Sequence, residues 1–327
     1  MNDKIYDVIG IDAPCVDLNL NIARFPVPGA GEGVRRLSWQ GGGKIATGLA
    51  ACARLGAKCA MMGRVGGDMF GNFIIKDLQL HGVDTSGMKV SHGDSSSLSV
   101  VLSDLQTASR TFLFTPGDAP RLAFEEIDPD LLRSAAYFFI CYADEAIERA
   151  VDTARAAGVS IFIDADVYSE DIAALIPKID VFVGSEAFYG KMYGNKRGED
   201  DCEANCRAVM DKGPRIVIFT FGENGCAGVS GDGFFRLPAF PVEAVDTVGA
   251  GDVFHGAFLA GLLRGMSAKE AARFASAAAA IKCTRIGGRA GIPDIKTLER
   301  FLRDGAIDYT EIDKRVKFYE RGLENVR

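Results

Sequence analysis

The sequence predicts an α/β protein: a central, mostly parallel sheet flanked by helices in three layers, with a small β-sheet lid beside it. Three observations carry this reading. Short β-rich apolar runs alternate with helix-period segments along most of the 327 residues. Those runs are apolar on both faces, as strands of a covered parallel sheet are. Two other stretches alternate polar with apolar residues, the period of a sheet with one wet face.

Taken in order, Ile5–Asp12 reads as the first buried strand. Residues 13–40 then mix short alternating pieces with Pro and Gly, as in Phe25-Pro-Val-Pro-Gly-Ala-Gly-Glu-Gly33. Helical spacing follows over Lys44–Leu55, a strand over Lys58–Val65 and a helix over Met69–His81. Ser96–Thr115 alternates across a hairpin. Strands at Tyr137–Tyr142, Val159–Asp164, Asp180–Val183 and Arg215–Phe221 are interleaved with helices at Asp144–Ala157 and Cys202–Lys212. From Gly249 the pattern turns helical, with Ala250–Leu263, Ala268–Thr284 and a charged amphipathic tail from Ile295. The expected division is a nucleotide- and sugar-binding core over 1–12, 41–95 and 116–327, and a lid over 13–40 and 96–115. The alternative for the two alternating segments is an edge extension of the main sheet.

Composition excludes several classes. The formal charge is −7, so no basic surface invites nucleic acid or acidic lipid. No apolar stretch approaches the roughly 20 residues of a membrane helix. The first residues lack the basic-then-apolar order of a signal peptide. The eight cysteines contain no Cys-x-x-Cys and several lie in apolar runs, so they read as buried thiols in a reducing compartment. The three histidines are too scattered for a histidine zinc site. A cytoplasmic protein is expected.

The strongest chemical signal is Val245-Asp-Thr-Val-Gly-Ala-Gly-Asp-Val-Phe-His-Gly-Ala-Phe258. It leaves a β-like run, passes two glycines and opens a helix. Unsatisfied N–H groups and a positive dipole end suit a phosphate or a developing anion there. Gly249 and Gly251 let the backbone approach it closely. Asp252, on the first helical turn, reads either as a cap or as a carboxylate that takes a proton from an attacking hydroxyl. No Gly-x-x-x-x-Gly-Lys-[Ser/Thr] occurs, which excludes a P-loop. No Gly-x-Gly-x-x-Gly follows the first strand, which disfavours a dinucleotide-binding dehydrogenase.

This stretch resembles the signature Asp-Thr-x-Gly-Ala-Gly-Asp of the PfkB, or ribokinase-like, carbohydrate kinases. Further motifs stand in that family's order: Gly41-Gly-Gly-Lys-Ile-Ala-Thr-Gly-Leu-Ala-Ala-Cys-Ala-Arg-Leu-Gly56, Val65-Gly-Gly-Asp-Met-Phe-Gly71, Gly82-Val-Asp-Thr-Ser86 and Thr220-Phe-Gly-Glu-Asn-Gly225. The resemblance runs from about residue 5 to Pro293.

It implies a ribokinase-like fold and an ATP-dependent sugar kinase. Asp252 would be the base, and the N–H groups of Gly249, Ala250 and Gly251 would stabilise the transferring phosphoryl group. Thr220, Gly222 and Gly225 would hold the ATP tail, with Mg2+ on its phosphates. Asp17, Gly42 and Gly43 match the family's sugar-binding positions. Asp12 lies close by, or serves only as a strand-end turn residue. Thr47 stands where many relatives carry a sugar-binding Asn.

The family's Asn-x-x-Glu is degraded to Ser185-Glu186-Ala-Phe188, so Ser185 falls at the Asn position. Glu186, or Asp164 and Asp166, would supply the missing carboxylate toward Mg2+. Some relatives bind a monovalent cation through backbone carbonyls, which here correspond to Asp246, Val248, Cys283 and Gly288; potassium is the ion they would take. Cys283 also reads as a plain buried thiol, and His255 as a residue packed beside the site.

These variants, with Asp164-Ala-Asp166 and Cys283-Thr-Arg-Ile-Gly-Gly-Arg-Ala-Gly-Ile-Pro293, resemble the branch that contains sulfofructose kinase. A ketohexose or modified ketohexose is the expected acceptor. That branch's lid lysine is missing, which leaves Arg35, Arg36 and Arg110 as lid cations. Arg110 is either a substrate contact or a solvated hairpin charge. Trp39 would support a nucleoside kinase if it stacked on a base. A sugar-sensing protein without catalysis is the other alternative. A homodimer through the lid is expected, with the Leu98–Leu102 strand inviting it.

Overall fold

The computed structural model describes residues 4–104, 106, 110–194 and 201–323. The chain opens with β1 (Tyr6–Asp12), whose Val8, Ile9 and Ile11 are fully buried, and then crosses into β2 (Cys15–Ile22) and β3 (Val34–Gly41). It returns through α1 (Lys44–Arg54), β4 (Cys59–Gly66), α2 (Met69–Leu80) and β5 (Val83–Ser91). A second excursion forms β6 (Ser97–Asp104) and β7 (Arg110–Thr115).

Strands and helices then alternate: α3 (Pro129–Arg133), β8 (Ala135–Ile140), α4 (Glu145–Ala156), β9 (Ser160–Ala165), α5 (Glu170–Leu175), β10 (Val181–Ser185), α6 (Glu186–Tyr193), α7 (Cys202–Met210) and β11 (Ile216–Thr220). An antiparallel pair, β12 (Cys226–Ser230) and β13 (Gly233–Leu237), precedes four helices: α8 (Ala250–Leu263), α9 (Ala268–Cys283), α10 (Ile295–Asp304) and α11 (Thr310–Glu320).

Nine strands form one sheet in the order β13-β12-β11-β10-β9-β8-β1-β4-β5. Six of its eight pairings are parallel, and the two that involve β12 are antiparallel. Apolar clusters cover both faces, one built with α1, α8 and α9 and the other with α4 and α7. The remaining four strands form a separate sheet in the order β3-β2-β6-β7. They come from the two stretches with period-two alternation. Strand β7 is exposed on both of its faces, with Phe112 49 % and Phe114 77 % exposed on one and Leu113 57 % exposed on the other. The Leu98–Leu102 strand lies inside this sheet, paired on both sides by β2 and β7, so the edges are β3, which packs against α11, and β7.

Two features of this topology position a site. β1 lies between β4 and β8, and the chain builds outward from it in both directions. In open α/β sheets the crevice at such a switch point, beyond the strands' C-terminal ends, is where ligands bind. Second, α1 and α8 cross with their backbones in contact. A Cβ on Gly256 would overlap the Gly48 carbonyl, and one on Gly48 would press Phe139 and lie 3.3 Å from the Asp252 carbonyl. Only glycines allow this approach, and it carries both helix N-termini to the same end of the sheet.

Candidate active site

The Asp246–Gly251 loop enters α8 through Gly249, the N-cap, at φ 71°. L-side chains disfavour this left-handed conformation. A Cβ there would also meet Gly288 Cα at 2.8 Å. The N–H of Ala250 donates to Thr247 O at 3.2 Å, whereas those of Gly249 and Gly251 have no backbone partner among the described residues. Two of the three expected N–H groups are therefore left without a backbone acceptor among the described residues, while the third closes the turn.

Asp252 follows in the first turn. Its carboxyl is held well above the usual carboxylate range, first by burial and then by the charge of Asp164; Lys44 opposes this, while Asp166 and Asp12 add to it. These groups come from four strand or helix ends. Asp12 ends β1, Asp164 and Asp166 lie at the end of β9, and Lys44 is the first residue of α1. Burial favours the neutral form of Lys44, but Asp164 and Asp166 outweigh it and hold the ammonium well above its ordinary proton affinity. Its Nζ contacts Asp166 Oδ2 at 2.7 Å. Asp164 is 1 % exposed, with Oδ1 3.4 Å from His255 Nε2, and His255 Nδ1 lies 2.6 Å from the Gly251 carbonyl. His255 therefore packs beside the site, as expected, and links its carboxylates to the glycine loop.

On the other side of the crevice, the absence of a Gly42 side chain lets that backbone press against the Asp17 carboxylate. Burial pushes the Asp17 carboxyl from 3.8 up to about 6, against the Cys15 thiol, which donates to it at 3.3 Å. Asp12 accepts from Ala13 N at 2.8 Å and Ile45 N at 3.1 Å, so both its oxygens hold the strand end and the start of α1. Gly43, at φ 96°, packs against Asp12 and Pro14. Thr47 is buried, and its hydroxyl accepts from Arg289 Nε at 3.2 Å. Arg289, 0 % exposed, also donates to the Gly42 carbonyl at 2.8 Å and to Asp77 at 2.5 Å. One buried guanidinium thus fixes the glycine loop and Thr47 together.

The residues expected to hold the nucleotide gather at the ends of β10 and β11, where Ser185 and Thr220 are register partners. The Ser185 hydroxyl donates to Asp166 O at 2.6 Å and accepts from Phe188 N at 3.1 Å, so it caps α6 and ties two strand ends together. Gly222 (φ 56°) and Gly225 (φ 84°) make the tight turn after Thr220, and Phe221 N closes it on Gly225 O at 2.8 Å. Glu186 begins α6 beside this turn. Among the described residues no three His, Cys, Asp or Glu side chains converge as a metal cage.

Arg110, on strand β7 of the smaller sheet, donates to the Thr247 hydroxyl within the Asp246–Gly251 loop. Trp39 stacks on Phe70 with ring centroids 6.3 Å apart and lies against Gly322, so the aromatic that would mark a base-binding lid is packed elsewhere.

Lys44 and Arg289 have no assigned role in the sequence reading, although both stand inside motifs quoted there. The signal was available for Lys44. A cation at the first position of a helix opposes the dipole, and something must offset that. Arg289 offered a weaker sign, a charge set among glycines and apolar residues.

Residues 7–295 match the pfkB family carbohydrate kinase domain. A 5-dehydro-2-deoxygluconokinase of Clostridium perfringens is 25 % identical, with 94 % of this chain and 96 % of that protein covered. A nucleoside kinase of Methanothermobacter thermautotrophicus is 25 % identical, with 90 % and 95 % covered. Among solved structures, Arabidopsis thaliana ribokinase complexed with ribose and ATP superposes with a TM-score of 0.77 at 22 % identity, covering 91 % of this chain and 99 % of that one.

Proposed function

Because the chain belongs to the pfkB family of carbohydrate kinases, phosphotransferases whose acceptor is an alcohol, we propose that it moves the γ-phosphoryl group of ATP to a hydroxyl of a ketohexose or modified ketohexose. The observation that carries this is Asp252. Its carboxylate stands at a glycine-opened helix N-terminus, where burial and neighbouring carboxylates raise its proton affinity. A carboxylate so placed takes the proton of an attacking hydroxyl as the new O–P bond forms.

Asp17 and the Gly42 backbone hold the acceptor's hydroxyls opposite it. The N–H groups of Gly249 and Gly251 receive the charge of the transferring phosphoryl group. Lys44 lies within electrostatic reach of Asp252 and screens it from Asp164 and Asp166, so that it ionises when the acceptor arrives. Thr220, Gly222 and Gly225 carry the ATP phosphates. Mg2+ keeps most of its waters and needs only one or two carboxylates beside the phosphates, which suits a site without a metal cage. Glu186 would hold it, and the ion would neutralise charge on the β- and γ-phosphates.

The four-stranded sheet would close over the acceptor, with Arg110 on Thr247 as a contact between lid and core. Closure excludes water, so that phosphate reaches sugar rather than solvent. A homodimer through the lid and a cytoplasmic location complete the reading. The eight free cysteines support a reducing compartment. Among the described residues no helix is long and apolar enough to cross a membrane.

The test is ATP consumption against ketoses, sulfosugars, keto sugar acids, aldoses and nucleosides, with Asp252→Asn as control. Turnover on a ketohexose or its derivative, lost in the control, is expected. Turnover on nucleosides alone would replace the acceptor class, and binding of ATP without turnover on any acceptor would remove the catalytic reading.

A further inference from the structure

The segment Ala277-Ala-Ala-Ala-Ile-Lys-Cys283 closes α9 with a lysine that solvent does not reach: Lys282 is 0 % exposed. Its ammonium donates to the backbone carbonyl of Asp246 at 2.8 Å, and among the described residues it forms no ion pair. A buried ammonium carries a large desolvation cost, and a methionine would fill the same volume without it. The charge must therefore be offset by something it does in this place.

Asp246 joins two loops. Its carboxylate accepts from Val248 N at 2.9 Å, within the loop that enters α8, and from Gly287 N at 2.8 Å, in the loop that leaves α9. The Cys283 carbonyl accepts from Val245 N at 2.8 Å and Asp246 N at 3.1 Å. A carbonyl oxygen has two lone pairs, and these two donors use both. Of the four carbonyls that could ligate a monovalent cation, Cys283 is thus filled and Asp246 is held by an ammonium. An ion on the Asp246 oxygen would share it with a fixed positive charge, which repels it. With two of the four oxygens so engaged, the set does not fit a dissolved potassium ion.

We propose that Lys282 is a built-in monovalent cation, so that the Asp246–Gly251 loop is ordered by the protein's own ammonium and the enzyme requires no potassium. Lys282 is a positioning residue, acting through the Asp246 carbonyl on the loop that presents the Gly249 and Gly251 N–H groups. The proposal rests on the reading of that loop as the phosphoryl site.

Two measurements need neither ATP nor acceptor. The melting temperature of the wild-type protein in KCl, NaCl and tetramethylammonium chloride at equal ionic strength should coincide. Crystals soaked in rubidium should show no anomalous peak beside the Asp246 and Cys283 carbonyls. A potassium-selective rise in melting temperature, or a rubidium peak there, overturns the proposal. Lys282→Met should acquire a potassium- or ammonium-dependent rise in melting temperature.

On whichever acceptor the wild type uses, Lys282→Met should lose on the order of 10- to 100-fold in kcat. Potassium should restore part of that loss, while the KM for the acceptor stays near wild type. A folded Lys282→Met that keeps full kcat in sodium alone also overturns it. If Lys282→Met does not fold, the wild-type melting and rubidium results decide. If no acceptor is found, those same results still stand, so failure of the kinase reading and failure of this proposal are told apart.

Discussion

Asp17 shows how a single residue's burial bears on stability and, in the proposed function, on recognition of the acceptor. Its carboxyl is pushed from 3.8 to about 6 because it is buried against the Gly42 backbone, and only a thiol donates to it. In the proposed role, an ionised acceptor of sugar hydroxyls, it is lost as pH falls through about 6. The KM for the acceptor should therefore rise on acidification below that point, and Asp17→Asn should abolish this dependence while raising KM throughout. Stability runs the other way. Between about 4 and 6 the folded state binds more protons than the unfolded one, so the wild type loses stability as pH rises through that window. Asp17→Asn carries no such charge, so its melting temperature should gain on the wild type from pH 4 to pH 7. A gap between the two proteins that does not change with pH would mean that Asp17 titrates normally. At this scale the sequence singled out Asp252, Asp17 and the glycines as candidates, because carboxylates and glycines at a strand–helix junction suit close approach to a ligand. It did not expose Arg289 or Lys282. A buried cation looks like any surface lysine or arginine until the fold shows what covers it.

Elements were legible where one face or both were apolar over several turns. α8 spans Ala250–Leu263 as its composition indicates, and α9 ends one residue before the expected Thr284. Short helices such as α3, α5 and α6 escaped notice, since five to eight residues carry too little periodicity. Their caps (Asp128, Ser169 and Ser185) were the available signal. The β12–β13 hairpin escaped for a related reason: Gly228, Ser230 and Gly233 interrupt its alternation. The crossing of α1 and α8 was invisible, because Gly48 and Gly256 lie far apart in sequence and each reads as a weak helix residue. Their contact has a measurable consequence. Gly256→Ala places a methyl group on the Gly48 carbonyl and must spread the two helices. Although alanine favours helix, overpacking should dominate and cost about 1–3 kcal/mol. Because the same crossing sets the α1 glycine loop against Asp252, kcat should fall further than stability alone explains. A neutral or raised melting temperature with unchanged kcat would show that the helices slide apart freely.

At the scale of the whole molecule, the four-stranded sheet leaves apolar side chains of β7 exposed, and the proposed homodimer would cover them. β7 runs along one edge with consecutive exposed Phe112, Leu113 and Phe114, while β6, the strand whose apolar sequence first suggested pairing, is interior. Long apolar edges are normally blunted by charge, proline or a bulge, because they template pairing with another chain. Here Arg110 is the charge of the strand, and it is turned onto Thr247. A second copy of the same sheet would satisfy the edge and cover its exposed apolar side chains in one step, since a two-fold axis matches like with like. Light scattering should therefore give twice the 35.0 kDa of one chain. Phe112→Glu combined with Phe114→Glu should return it to a monomer without unfolding the core, because both side chains are already exposed. If the lid of each subunit is ordered by the other, that monomer should lose acceptor affinity but still bind ATP, whose proposed contacts at Thr220, Gly222 and Gly225 lie in the main sheet and the turn that follows it. A wild-type protein that is monomeric at all concentrations would leave the apolar edge to the acceptor itself, and the double variant should then raise KM with no change in mass.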